Sequence, residues 1–384
     1  MEDLARRLLA DLVGFDTTSA KSNLECQRWI ADRLGAAADH IAWIYHPSQP
    51  KANLLIRVGP AAAGGVVLSG HVDVVPIAGQ AWTVNPYVLT EQSGRLYGRG
   101  TTDMKGFVAL SMALALSIRK EALRRPIWLA FSYDEEIGCL GVSSLIEALL
   151  KAEGQPSAVI VGEPSEMRPV NKHKGCSIMR LDVTGKAAHS SSPHLGASAI
   201  IPAVKLIDFL EEYFFERKKS GPFAEGFEPP HSTFNAGRIS GGSAVNIVPG
   251  ECGLDFEFRD VPGDDADVIL RDIRNFVAHE LPGGLDASST DQTVNLERVI
   301  WCPSLKPEPG GEAETLAAQL SGLSASGAVP FGTEAGFFQK AGYSTVVCGP
   351  GNIAQAHQPD EFIEIEQFHM GAAFMERLGL RLTS

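Results

Sequence analysis

Histidine and acidic residues recur in this sequence close to short apolar runs. His71 and Asp73 follow the run Val66–Ser69, and Asp103 stands in the segment YGRGTTDMKG, before a predicted helix. Residues two apart in an extended chain point the same way, so His71 and Asp73 can address one point. An imidazole and a carboxylate that converge can hold a metal ion. Asp103, taken by itself, is more typical of a helix N-cap.

Further acidic residues follow the next two apolar runs. Glu135 and Glu136 lie in SYDEEIGCLG, after the run Pro126–Tyr133, and Glu163 follows Ala158–Val161 in VIVGEPSE. Successive acids at the end of a buried strand are costly to pack unless a cation lies among them. The alternatives are a solvated acidic loop for the pair and a helix N-cap for the single glutamate.

A second histidine, His357, lies in GPGNIAQAHQPDE after the run Ser344–Val347. By itself it is an ordinary loop histidine. With the others it completes a pattern in which chemical side chains follow predicted strands, at the edge where open α/β sheets bind ligands. Two imidazoles, three ligating carboxylates and one spare glutamate suit two divalent ions that activate a water, with Asp103 shared and Glu135 as the base. These donors favour Zn²⁺, and Co²⁺ and Mn²⁺ fit them as well.

Alternating strands and helices are predicted to position these side chains. The first 170 residues and the C-terminal part predict an α/β sheet with helices on its faces. The middle of the chain predicts a small α+β layer, with strands at 177–184, 232–239 and 253–259 and helices near 197–217 and 264–280. We therefore expect a catalytic domain over 1–174 and 296–384 and an inserted domain over 175–295.

Composition limits the classes of partner. The chain has 384 residues, of which 44% are hydrophobic and 21% charged, and no stretch reaches the ~18 apolar residues of a membrane span. Its net charge of −13 argues against nucleic acid or an anionic membrane surface as the main partner. Six scattered cysteines without a CxxC pair are typical of the reducing cytoplasm. The N-terminus MEDLARRLLADLVGF predicts a helix and not a secretory signal.

Ordered motifs along nearly the whole chain resemble the metallo-aminoacylase and carboxypeptidase family of zinc peptidases. They are GHVDVVP, LYGRGTTDMKG, DEEIGCLG, GEPSE, HKG, GKAAHSSSP, GGSAVNIVP, FEFRD, FGTEAGFF and GPGNIAQAHQPDEF. The resemblance implies a zinc-peptidase-like α/β/α catalytic domain with an inserted α+β, ferredoxin-like lid or dimerisation domain. It also implies a homodimer that acts on a small N-acyl amino acid.

The same resemblance assigns roles to the residues of the catalytic domain. Glu135 would be the general base, and Asp73 would orient His71 and set its tautomer. The peptide bond after Asp103 would be cis. The two metal ions would be held by His71, Asp103, Glu136, Glu163 and His357, with Asp103 bridging them.

Three residues of the inserted domain match functional positions of the family. His189, in GKAAHSS, matches the histidine that reaches the active site of the partner subunit and stabilises the oxyanion. Asn246 and Arg259 match contacts to the substrate carboxylate, which a guanidinium fork binds well. The simpler alternatives are a turn residue and a surface arginine at a strand end.

The motif FGTEAG contributes the remaining pocket positions. Gly332 and Thr333 are expected to line the pocket, and Glu334 either contacts a cationic substrate tail or is an acid at a helix N-terminus. The pattern is most similar to the members that remove the acetyl group from N2-acetyl-L-ornithine in arginine biosynthesis. The alternative is a succinyl-diaminopimelate desuccinylase or another N-acyl or N-carbamoyl amino acid hydrolase, because small pocket changes shift discrimination by only ~1–3 kcal/mol. A binding protein on the same fold would lack a ligand or the base, and none is missing.

Overall fold

The chain forms two compact units. The computed structural model describes residues 1–281, 292–325 and 327–383. The first unit comprises Met1–Lys172, Pro307–Ala328 and Thr333–Ser384, and the second comprises His173–Lys306 and Val329–Gly332. The sequence predicts an inserted domain that ends at 295. The insertion extends to Lys306 because the strand that begins at Thr293 pairs within its sheet.

The first unit alternates helices and strands, as expected for an α/β fold. In chain order its elements are α1 (Glu2–Val13), α2 (Leu24–Leu34), β1 (His40–Tyr45), β2 (Ala52–Val58), β3 (Gly65–His71), β4 (Thr90–Gln92), β5 (Arg95–Tyr97), α3 (Lys105–Ser117), β6 (Ile127–Ser132), α4 (Val142–Lys151), β7 (Pro156–Pro164), α7 (Glu312–Ser321), α8 (Ala335–Lys340), β16 (Ser344–Gly349), β17 (Phe362–Glu364) and α9 (Ile365–Thr383). A six-stranded sheet has the order β1-β2-β6-β3-β7-β16, and a three-stranded sheet has the order β17-β5-β4. One-turn 3₁₀ helices lie at Lys120–Ala122 and Ile353–Gln355.

Helices cover both faces of the six-stranded sheet. On β3, Val66 and Leu68 point into the apolar core that also contains residues of α1, α3 and α9. Val67 alternates to the opposite face, on the side where α4 and α8 pack against the sheet. Each buried side chain of this kind contributes ~1.5–3 kcal/mol. This packing fixes the strands whose ends carry the candidate site.

Helix α3 is apolar on nearly all of its sides. Every residue from Lys105 to Ala115 is buried. A helix with this pattern is stable only inside a core. Helix α3 packs on β3, β6 and β7, and Asp103, the residue before its N-cap, is buried as well.

The second unit is an α+β layer of the ferredoxin-like type. Its elements are β9 (Cys176–Thr184), β10 (Ala188–His189), α5 (Ile200–Ser220), β11 (Thr233–Gly241), β12 (Ile247–Val248), β13 (Glu251–Arg259), α6 (Ala266–Glu280) and β14 (Thr293–Cys302), with a 3₁₀ turn at Pro193–Leu195. Its antiparallel sheet has the order β11-β13-β9-β14. Along the chain, the sheet strands and the two helices follow one another as βαββαβ. The two-residue strands β8 (Lys172–His173) and β15 (Ala328–Val329) lie at junctions of the units along the chain. The predicted fold class is confirmed, and none of the described helices is long and apolar enough to cross a membrane.

Candidate active site

The predicted metal ligands of the first unit converge at one edge of the six-stranded sheet. Strands β6, β3, β7 and β16 run parallel, so their carboxyl ends meet there. His71 is the last residue of β3, Glu135 and Glu136 follow β6, and Glu163 lies at the end of β7. His357 follows β16, with a positive φ of 62°. The sequence therefore identified the strand ends that build this site.

Asp103 lies between the two imidazoles. Its Oδ1 is 3.1 Å from His71 Nε2, and its Oδ2 is 3.2 Å from His357 Nε2. The N-cap of α3 is Met104, and the Asp103–Met104 peptide bond is cis, as the family resemblance implied. Asp103 is therefore not the cap of this helix, and each of its carboxylate oxygens faces a different histidine.

The remaining carboxylates complete one donor set on each side of Asp103. His71 Nε2 lies 3.8 Å from Glu163 Oε1, and His357 Nε2 lies 2.9 Å from Glu136 Oε2. Each set thus has one imidazole, one terminal carboxylate and one oxygen of Asp103. Nitrogen and oxygen donors in this number fit two borderline divalent ions.

The glutamates of the site are buried at a cost that a bound cation would offset. Burial, with neighbouring acids, raises the pKa of Glu135 to about 8 and that of Glu136 to about 7. Burial also raises the pKa of Glu163 well above its usual value. Carboxyl groups in a dry cluster resist ionisation unless positive charge lies among them. The donor set is therefore chemically suited to divalent cations.

The imidazoles supply that positive charge when they are protonated. Burial opposes charge on His71, yet its hydrogen bond to Asp103 and the nearby glutamates raise its pKa well above the usual value. Hydrogen bonds to Asp103 and Glu136 raise the pKa of His357 to about 10. Burial alone would raise the pKa of Asp103, but the two histidines hold it below its usual range. Protons and metal ions would therefore compete for these ligands.

Asp73 connects the first histidine to the acidic segment after β6. The main-chain oxygen of Asp73 lies 2.9 Å from His71 Nδ1, whereas its carboxylate Oδ1 lies 3.6 Å away. The carboxylate instead accepts hydrogen bonds from the backbone N–H groups of Glu135 and Glu136, at 3.2 and 3.3 Å. Asp73 thus contacts His71 mainly through its main-chain carbonyl. The side chain of Asp73 holds the backbone of Glu135, the expected base, and of Glu136.

Glu361 was not singled out from the sequence, although it lies in the AHQPDEF segment. Its carboxylate accepts hydrogen bonds from the backbone N–H groups of Gly100, Thr102 and Asp103, at 2.9–3.1 Å. Arg99 donates to the same carboxylate at 2.7 Å. The carboxylate therefore fixes the turn that carries Asp103. The sequence feature that could have identified Glu361 is its place in an acidic pair, Asp360 and Glu361, shortly after His357.

Gln80 links this turn to the second histidine. Its Oε1 accepts hydrogen bonds from Arg99 and from Trp82, and its Nε2 donates to the main-chain oxygen of His357 at 2.8 Å. Arg99 also lies over the Trp82 ring, 5.0 Å from its centroid. The loops of Asp103 and His357 are therefore held by one network.

The FGTEAG positions divide between the two units. In the second unit, a Cβ at Gly332 would lie 2.6 Å from the sulfur of Cys302. In the first unit, the Thr333 hydroxyl accepts a hydrogen bond from the Ala335 N–H, and Glu334 is only 1% exposed. Glu334 Oε2 lies 3.4 Å from the Ser69 hydroxyl, and burial raises the pKa of Glu334 to about 7. The side chain of Glu334 thus points to β3 and does not cap α8.

Within the second unit, His189 and Asn246 lie together. Strands β10 and β12 pair His189 with Ile247, and the Ser190 N–H donates to the main-chain oxygen of Asn246 at 2.9 Å. The backbone N–H of Ser191 donates to His189 Nδ1 at 3.1 Å. A neutral His189 ring therefore carries its proton on Nε2, which makes that atom a hydrogen-bond donor.

Arg259 lies at the end of β13, in the same unit. It donates to the Glu257 carboxylate at 3.1 Å and is about one third exposed. A bond to one acid leaves other N–H groups of the guanidinium for a ligand, because arginine has five N–H donors. Arg259 is therefore exposed enough, and has enough donors, to bind a carboxylate as well.

Comparisons with known proteins agree with this fold. The sequence profile of peptidase family M20/M25/M40 matches residues 67–381. Acetylornithine deacetylase of Myxococcus xanthus is 35% identical over 383 residues, which cover 97% of this chain and 96% of that protein. Acetylornithine deacetylase of Vibrio cholerae is 34% identical over 351 residues, 88% of this chain and 86% of that protein.

Solved structures share the fold at lower identity. A tripeptidase from Staphylococcus aureus superposes with a TM-score of 0.73 and 21% identity, covering 100% of this chain and 99% of the other. An M20 family metallo-carboxypeptidase from Sulfolobus solfataricus gives 0.71 and 19%, with 99% of both chains covered. A dinuclear metal binding peptidase from Bacillus subtilis gives 0.66 and 16%, covering 99% and 98%. The profile match and the near full-length relatives make this chain a hydrolase that belongs to peptidase family M20/M25/M40.

Proposed function

We propose that this hydrolase removes the acetyl group from N2-acetyl-L-ornithine, giving L-ornithine and acetate, with two divalent metal ions, Zn²⁺ foremost. The observation that carries the proposal is Asp103, whose two oxygens face His71 and His357 at 3.1 and 3.2 Å. Two donor sets that share one carboxylate suit a pair of ions. The near full-length relatives named acetylornithine deacetylase support the substrate.

Glu135 is the proposed general base. It follows β6 directly, and its Oε2 lies 4.0 Å from His71 Nε2. Divalent ions bound by the two donor sets would supply Lewis acidity that polarises the acetyl carbonyl and acidifies water. Glu135 would take the proton from the attacking water and return it to the leaving nitrogen. Its pKa of about 8 in the metal-free site would fall when cations bind beside it.

His189 is the proposed oxyanion donor, acting in the partner subunit of a homodimer. The bond from the Ser191 N–H to its Nδ1 places the proton of a neutral ring on Nε2, as that role requires. The second unit also has an edge strand, β11, with most of its residues exposed. An unpaired edge of this kind can pair with a second chain. These features support a dimer formed through the second unit.

Arg259 and Asn246 are proposed to bind the carboxylate of the substrate, and Glu334 its cationic tail. A guanidinium fork matches a carboxylate in geometry and charge. Glu334 Oε1 is buried without a hydrogen-bond partner among the described residues, so an ammonium group would satisfy it. Gly332 and Thr333 would shape the wall of the pocket. The six cysteines are all buried and scattered along the chain, which supports a location in the reducing cytoplasm.

A substrate panel with and without metal tests the proposal. N2-acetyl-L-ornithine, N-succinyl-diaminopimelate, several N-acetyl amino acids and an N-carbamoyl amino acid are offered to the zinc-loaded protein. We expect acetylornithine to give the highest kcat/KM and a chelator to abolish turnover. Preference for another acyl amine would overturn the substrate and leave the reaction class. Chelator-resistant hydrolysis would overturn the role of the metal.

A further inference from the structure

Lys51 is a buried cation that the proposed reaction does not use. It lies next to the start of β2 and is only 5% exposed. Its Nζ donates to both carboxylate oxygens of Asp134, at 2.6 and 2.7 Å, and to the main-chain oxygen of Ser19 at 2.6 Å. All three ammonium donors are therefore used by fixed partners. Lys51 thus supplies the cation that pairs with Asp134, the first acid of the segment.

The ion pair continues by hydrogen bonds to the proposed base. Ser19, which accepts from Lys51 through its carbonyl, donates its hydroxyl to Asp73 Oδ2 at 2.8 Å. The Asp73 carboxylate in turn accepts from the backbone N–H groups of Glu135 and Glu136. Lys51 thus holds Asp134, which precedes the proposed base. It also holds Ser19, which bonds to Asp73.

The backbone at Asp134 shows why this position needs support. Its φ of 56° lies in the left-handed region, which a residue with a Cβ rarely adopts. This turn directs the next two N–H groups, those of Glu135 and Glu136, toward Asp73. The Leu140 N–H closes the segment on the Asp134 carbonyl at 3.0 Å. An anchored side chain at Asp134 keeps the segment in this conformation.

We propose that Lys51 is a positioning residue, which through Asp134 and Ser19 fixes the backbone of Glu135 and Glu136 relative to Asp73. The inference rests on the proposed function, because it gives Glu135 the role of base. Lys51 contacts neither the substrate nor a ligand side chain in this arrangement. Its effect on turnover is therefore indirect, and the test must separate positioning from general stability.

The decisive variant removes both charges of the pair. Lys51→Met alone leaves the Asp134 carboxylate buried and unpaired, so it can fail to fold. Lys51→Met with Asp134→Asn has no unpaired charge, and we expect it to recover a melting temperature near that of the wild type. A positioning role predicts that its kcat stays about 10²-fold below wild type with KM little changed, since a displacement of ~1 Å can cost this much. A purely structural role predicts that kcat recovers together with the melting temperature.

Two further variants provide the controls. Lys51→Arg keeps the charge and should retain more of the kcat than the neutral pair. Lys21→Met removes an exposed lysine that pairs with Asp16 in the same N-terminal segment. It should leave kcat and KM unchanged. A loss of kcat in Lys21→Met equal to that in the Lys51 variants would overturn the proposal.

Hydrogen exchange of the metal-free protein gives a readout that needs no substrate. In the Lys51→Met, Asp134→Asn variant, the amides of Glu135 and Glu136 should exchange at least ~10-fold faster, as expected for lost hydrogen-bond protection. Exchange in α3 should not change. Unchanged exchange at both glutamates would overturn the proposal. If the wild type hydrolyses no compound of the panel, the proposed function fails, and the exchange rates still decide the positioning role.

Discussion

Arg99 donates to Glu361 at 2.7 Å, although each side chain is only 1% exposed. The same carboxylate accepts the backbone N–H groups of the turn that ends at Asp103. A buried ion pair of this kind is costly to break from one side, because the remaining charge has no water to replace its partner. The placement of Asp103 therefore depends on a residue far away in the sequence.

Replacing Glu361 should destabilise the protein strongly. Glu361→Gln leaves Arg99 charged and buried, so we expect a loss of ~3–5 kcal/mol in the free energy of unfolding. Glu364→Gln is the matched control, because its pair with Arg95 has side chains 42% and 38% exposed. Exposed pairs contribute ~0–1 kcal/mol. Urea denaturation of the metal-free variants measures both, and equal losses would contradict this account.

The two adjacent glutamates should respond differently to the same change. Glu135→Gln removes the proposed base but no proposed ligand, so turnover should be lost while the metal content stays at the wild-type value. Glu136→Gln should lower the metal content, because Glu136 lies 2.9 Å from His357 in the second donor set. Metal analysis of the purified variants, with kinetics on acetylornithine, measures both. An active Glu135→Gln protein would remove Glu135 as the base.

His189→Ala should lower kcat by ~10²–10³ if His189 stabilises the oxyanion. His194→Ala is the control, because this nearby histidine is exposed like His189 but has no proposed role. An effect on KM alone would contradict the proposed role. Mixing the His189→Ala and Glu135→Gln proteins tests the dimer, because one mixed site would have both residues intact. Activity that appears on mixing supports action across subunits, and two inactive partners that stay inactive count against it.

His173 should make the second unit sensitive to acid. This histidine is fully buried, and burial lowers its pKa from 6.5 to about 4. Between these values the unfolded chain binds a proton that the folded chain does not, so protonation favours unfolding. The free energy of unfolding therefore keeps the full contribution of neutral His173 above pH ~6.5. It is lower by about 3 kcal/mol at pH ~4. Melting temperatures from pH 7.5 to 4 should fall more steeply in the wild type than in His173→Gln. Parallel curves would contradict the prediction.

The sequence predicted which candidate ligands lie together where each follows a recognisable strand. His71, Glu163 and His357 could be placed from local apolar runs and from the rule that parallel strands end at one edge. The residues that support them could not be placed in this way. Lys51 and Asp134 are 83 positions apart, and Arg99 and Glu361 are 262 apart. Such pairs depend on strand order, which local periodicity does not determine.

The inserted unit shows the same limit. The alternation that identified β9 and β13 is also present in β14, with exposed and partly buried residues in turn. The predicted insertion nevertheless ends at 295, because the prediction lacks the Thr293–Cys302 strand. Its partner in the sheet is β9, more than a hundred residues earlier. The roles expected of His189, Asn246 and Arg259 stay predictions, since they came from the resemblance alone.

The strand order of the first unit also determines when the site can form during protein synthesis. Strand β7 pairs with β16, and the whole inserted unit lies between them in the chain. A ribosome that has just completed the insertion has made His71, Asp103, Glu136 and Glu163, but not His357. The nascent chain at that stage has one donor set complete and the other lacking its imidazole. Loading of the two proposed metal positions would therefore follow the synthesis of the last strand of the six-stranded sheet, because His357 comes after that strand.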